Sequence, residues 1–114
     1  ARADFEGARA ALGRVLDAPA ARRTETEAMA RWMIGETYFH QKNYEAAIRE
    51  FIALEVLCAF PTWQAAALLE AGKCRELLGE REEARKLYTR IVKLYPDTEA
   101  AKLARPRLEN QPPG

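Results

Sequence analysis

The chain is poor in the residues that most enzymes and disulfide-built folds depend on. It has one histidine, His40, so no histidine-based metal cluster is available. Two cysteines in 114 residues cannot build a disulfide framework. No apolar run approaches the ~20 residues a membrane-spanning helix needs, so direct membrane insertion is not expected. Neither charge sign is in excess: 18 basic and 17 acidic side chains leave a formal net charge of +1. That balance disfavours a general binder of nucleic acid or anionic lipid. There is no Gly-rich phosphate loop and no G-x-S-x-G nucleophile turn. β-Branched residues are sparse, and no stretch alternates apolar and polar side chains over strand length.

Helix formers fill the space left. Alanine is roughly a fifth of the chain, and Leu, Glu, Arg and Lys supply much of the rest. Punctuation divides it into six helical pieces. The first runs from Asp4 to about Ala18, with Phe5, Ala8, Leu12, Val15 and Leu16 on one face, and ends at Pro19. Thr24 with Glu27 forms the pattern of a capping box and opens a second piece that runs to about Gln41. Asn43 caps a third, carrying Tyr44, Ala47, Ile48, Phe51, Leu54 and Val56 or Leu57. Pro61 and Thr62 interrupt the chain, and the fourth piece spans Trp63 to Leu78 before Gly79, a residue suited to a left-handed cap. The fifth runs from about Arg81 to Tyr95. Asp97 is placed to cap a sixth, Thr98 to about Ala104, where Pro106 is expected to break or kink it. Residues 1–109 are thus expected to form one helical domain and 110–114 a disordered tail. Short links make consecutive helices antiparallel neighbours.

The pieces repeat. Ile34-Gly35-x-x-Tyr38, then Ala47-x-x-x-Phe51, then Pro61, is echoed by Ala71-Gly72, then Ala84-x-x-x-Tyr88, then Pro96. Gly35 to Ala47 and Gly72 to Ala84 are both 12 residues, and Ala47 to Ala84 is 37. Small residues at these places allow two helices of a hairpin to approach closely, and the aromatics fill the gap to the next helix. Half of an earlier copy, from Asp4-Phe5 to Pro19, precedes them.

These residues resemble the tetratricopeptide repeat, a helix–turn–helix unit closed by proline. The resemblance implies an all-α, right-handed α-solenoid of antiparallel helix pairs, about two and a half units in five to six helices. Arg75 and Arg81 depart from the aromatics common in that family. A solenoid needs capped ends, so the chain is expected to be part of a longer protein or to borrow a neighbour. The units are longer than the family standard around Cys58–Pro61 and Ala18–Ala20. In this they are similar to bacterial cell-envelope repeats. Trp32–Tyr38, Asn43–Ala47 and Leu94–Ala104 resemble the C-terminal domain of the TolA-binding family of the Tol–Pal system. That likeness implies a periplasmic or outer-membrane-associated setting, with a cytoplasmic one as the alternative.

The family geometry implies a concave groove lined by the first helix of each pair. By position it would comprise Met29, Trp32, Glu36, Phe39 and His40, followed by Ala66, Leu69, Lys73, Glu76 and Leu77. Such a floor suits a peptide or helix, with Trp32 and Phe39 either as anchors or as ordinary core residues. A clamp for a terminal carboxylate is excluded, because the relevant positions hold Trp32, Glu36 and Glu70. Catalysis is not expected. His40 has no orienting partner, and Glu80, Glu82 and Glu83 suit the start of a helix, where negative charge complements the dipole. Cys58 and Cys74 are expected to be unlinked and buried, and Trp63 to pack at a hairpin edge. No cofactor, metal or nucleic acid is expected. The chain is read as a non-catalytic interaction scaffold for a protein or peptide, with self-association as the alternative.

Overall fold

The computed structural model describes residues 4–110. Six α-helices follow one another: α1 (Phe5–Asp17), α2 (Glu25–His40), α3 (Tyr44–Leu57), α4 (Pro61–Leu77), α5 (Arg81–Leu94) and α6 (Glu99–Asn110). A single 3₁₀ turn, Pro19–Ala21, lies between α1 and α2. Each helix packs on the next in sequence. In addition α2 touches α4 and α4 touches α6, whereas the backbones of α1, α3 and α5 stay apart. The stack is therefore an α-solenoid that curves, with the even-numbered helices on its inner side.

The helix starts follow local chemistry. Asp4, Thr24 and Asn43 each accept a hydrogen bond from the amide three residues on, satisfying donors a first turn cannot use. The capping box forms only in half. Glu27 does not return to the Thr24 amide, and its carboxylate instead accepts from the Cys58 thiol at 3.7 Å. Helix α4 begins two residues earlier than expected, because Pro61 fits a first turn that has no use for its missing amide hydrogen. The cap of α6 is Thr98, whose hydroxyl accepts from the Ala101 amide at 3.2 Å, rather than Asp97. Pro106 does not end α6. The turn beyond it is held by tertiary contacts: Leu108 packs against the core and Arg107 reaches Glu76. Asn110 closes the helix, and residues 111–114 of the expected tail lie outside the described residues.

The hairpin turns repeat with the helices. Lys42 and Gly79, 37 residues apart, both take the left-handed conformation, at φ 61° and 77°. Two packed cores result. One joins α2, α3 and α4 around Phe51 and Leu54, and the other joins α4, α5 and α6 around Tyr88 and Ile91. Ile52 and Leu87 touch both. Small residues bring the helices together as the spacing predicts. A methyl on Gly35 would lie 2.6 Å from the Phe51 ring, and one on Gly72 would lie 2.3 Å from the Tyr88 ring. The rings thus fill the approach within their own hairpin as well as the gap to the next. Cys58 and Cys74 are buried and unlinked.

Polar straps reinforce the stack. The Arg9 guanidinium lies 4.1 Å from the centre of the Tyr38 ring and donates to Thr37 and Gln41, docking α1 on α2. On the outer side, the buried Glu55 carboxylate of α3 accepts from Arg90 at 2.9 and 3.1 Å and from the Tyr95 hydroxyl at 2.8 Å. Burial and that carboxylate push the Tyr95 hydroxyl up to about 12. This strap ties α3 to α5, whose backbones do not meet.

Candidate functional site

The inner face opens between α2, α4 and α6 as a cavity of about 420 Å³ lined by Phe39, Lys73, Glu76, Leu77 and Arg107. Four of these are residues the repeat geometry places in a groove. Phe39 is half-buried, its ring edge-on to Tyr44 at 5.6 Å. Leu77 is 56% exposed, an apolar side chain left for a partner to cover. Arg107 was not foreseen, because its place in the groove depends on α6 continuing through Pro106. It donates to Glu76 at 2.7 Å, and Glu76 also accepts from the Tyr88 hydroxyl. Burial and then Glu76 push that hydroxyl's pKa up.

The remaining expected residues divide. Glu36 lies about one turn before Phe39 and His40 directly follows it, with His40 exposed and its Nε2 3.6 Å from a Glu36 oxygen. Met29 is exposed at 43%, well up the helix from the cavity. Ala66 is half-buried. Leu69 is a correction: it is only 5% exposed and belongs to the core shared by α4, α5 and α6. At i+4 from Ala65 its side chain follows the buried stripe of α4. Trp32 is half-buried against Phe51 and Trp63, with ring centres 6.2 and 6.3 Å away. That packing favours its reading as a core residue. Trp63 packs at the start of α4 and donates to Glu25 at 3.2 Å, as a hairpin-edge residue should.

Glu36 carries an electrostatic burden. Its side chain is 19% exposed, and burial, followed by the neighbouring Glu70 carboxylate, raises its pKa, while His40 and Lys73 oppose the rise. Below the ordinary value of 4.5 the proton is held in folded and unfolded chains alike. As pH rises past that point the unfolded chain releases it first, so stability falls until the folded chain has released it too. Glu36→Gln cannot titrate. It is expected to be more stable than the wild type at pH 7, with the gain vanishing below about pH 4. Urea melts at the two pH values check this, and an equal or lower stability at pH 7 would contradict the burial of an ionised carboxylate.

A second cavity, about 400 Å³, lies where the two long links meet and is lined by Arg23, Glu27, Leu57, Cys58, Ala59 and Phe60. Burial and the Glu27 carboxylate raise the Cys58 thiol's pKa, the opposite of what a nucleophilic thiol needs. Cys74 is pushed up to about 12 by burial and by Glu70 and Glu36. Among the described residues, no three His, Cys, Asp or Glu side chains gather as metal ligands. No helix among them is long and apolar enough to cross a membrane.

Stacked antiparallel helix pairs with an open inner cavity define the class: a helical-repeat scaffold. The comparison with protein families makes this particular, since residues 66–98 match the tetratricopeptide repeat. The match begins inside α4 and covers α5, so it lies on the second hairpin. Repeats of this kind generally mediate protein–protein interaction and typically serve as non-catalytic scaffolds. Compared with curated proteins, the chain finds no match.

Proposed function

We propose that this chain is a non-catalytic scaffold that receives a peptide or helix of a partner protein on its inner face, in bacterial cell-envelope assembly or division. The observation that carries the reading is the open cavity of about 420 Å³ built from three successive inner helices, with Leu77 exposed beside Phe39. An exposed apolar residue in a concave, multi-helix wall is the usual place for a partner's anchor side chain. The envelope setting rests on the resemblance of Trp32–Tyr38, Asn43–Ala47 and Leu94–Ala104 to envelope repeats, and it entails a periplasmic or outer-membrane-associated location.

The test is selection of binding peptides from a displayed random library, followed by titration against Leu77→Asp. Because Leu77 is exposed, the variant should keep its melting temperature while losing the selected peptides by about tenfold or more. Peptides that bind both forms equally would place recognition elsewhere. Sedimentation over rising concentration addresses the alternative: assembly that Leu77→Asp disrupts would make a second copy the occupant. Cell fractionation tests the setting, and recovery in the cytoplasm alone would remove it.

A further inference from the structure

The inner face is not electrically neutral at the level of pairs. Each of its strong cations is already held by one carboxylate: Lys73 by Glu70 at 3.1 Å, and Arg107 by Glu76 at 2.7 Å. Glu36 is left over. Its nearest cationic candidate among the described residues is the exposed imidazole of His40 at 3.6 Å, beyond a normal hydrogen bond. It lies on α2 three residues before Phe39, hence on the same stripe of the helix and beside the apolar floor of the cavity. A carboxylate with 19% exposure and no Lys or Arg at ion-pair distance among the described residues, Lys73 acting on it only from beyond contact, is poorly solvated and poorly paired. The arrangement lacks one positive charge, next to a place for one apolar side chain.

We propose that the groove selects a basic peptide: a segment in which an apolar anchor seated on Phe39 and Leu77 is accompanied by a lysine or arginine that pairs with Glu36. This rests on the peptide-groove reading and names the partner's chemistry. An acidic segment is disfavoured by the same geometry. It would bring a fourth carboxylate to Glu36, Glu70 and Glu76, and would have to share Lys73 or Arg107 with the carboxylate each already holds. A guanidinium or ammonium adds a partner without removing one, and it relieves the repulsion between Glu36 and Glu70. Its attraction should be strengthened by the partial burial of the site and weakened by salt.

The probe is a positional-scanning peptide library with leucine fixed at one place and Lys, Glu or Ala scanned through the flanking positions. It is titrated against the wild type, Glu36→Gln and Leu77→Asp. The expected result is that one or two Lys positions gain about tenfold over Ala, that Glu there binds more weakly than Ala, and that in Glu36→Gln the ratio of Lys to Ala binding falls to about one. Glu36→Gln is expected to fold at least as stably as the wild type, so its melting curve separates lost recognition from lost structure. If peptides bind in a Leu77-dependent way but show no Lys preference, or the preference survives in Glu36→Gln, the charge inference fails and the groove reading stands. If no peptide binds in a Leu77-dependent way, the groove reading fails and takes this inference with it.

Discussion

Truncating Phe51 to alanine is expected to remove about 3–5 kcal/mol of stability, a large share of the roughly 5–15 kcal/mol that holds a domain folded. The ring is fully buried and stands in contact with the α2 backbone at Gly35. Around it lie Ala28, Ala47, Ala67 and Ala71, with Trp32 at 6.2 Å. Alanine neighbours cannot extend into a void, because a methyl group has no rotamers to offer. The space left by the ring would stay largely open, and the cost should lie toward the upper end. The same cavity would loosen α2, α3 and α4 together, since all three contribute its walls. Urea unfolding followed by circular dichroism reads the effect. A loss near 1 kcal/mol would show that the helices close over the gap, contradicting the rigid glycine–ring approach described here. Gly35→Leu makes the opposite error at the same contact and should also destabilise, through overpacking.

The close approach at Gly35 and Gly72 was legible in the sequence because it is steric and local, whereas the rings were expected in the gap to the next helix and lie also on the glycine of their own hairpin. Gly35 to Phe51 and Gly72 to Tyr88 are both 16 residues, one fixed offset that lays a ring on a bare backbone in both hairpins. The groove was legible to the extent that it follows helix periodicity: Phe39, Lys73, Glu76 and Leu77 come together as the repeat geometry requires. Features that depend on contacts between distant segments were not. Pro106 carries a real local cost, yet Leu108 and Arg107 draw α6 past it, so Arg107 could not be placed in the groove from the sequence. Glu55 looks like any surface glutamate until Arg90 and Tyr95, 35 and 40 residues on, close over it. Leu69 sits beside the inner stripe in the helical register but turns into the second core.

Trp32 is where the sequence left two readings open, and alanine substitution there should separate them. Its ring lies between Phe51 and Trp63, and it belongs to the fringe of the first core. Its indole N–H is buried without a hydrogen-bond partner among the described residues. Such a donor costs free energy when withdrawn from water, so its removal returns part of what the lost apolar contacts take away. The net loss for Trp32→Ala is therefore expected at about 3 kcal/mol, the low end for a large aromatic, with a fall in melting temperature of ~10 °C or more. Trp32→Phe should recover most of that, since it keeps an apolar ring against Phe51 and discards the unpaired donor. Peptides selected on the inner cavity should bind Trp32→Phe nearly as well as the wild type, because the cavity is lined by Phe39 and Leu77 and not by Trp32. Thermal melts alongside peptide titrations check both halves. An unchanged melting temperature with binding lost in Trp32→Ala would instead make Trp32 an anchor, and would extend the recognition surface up α2 toward Met29.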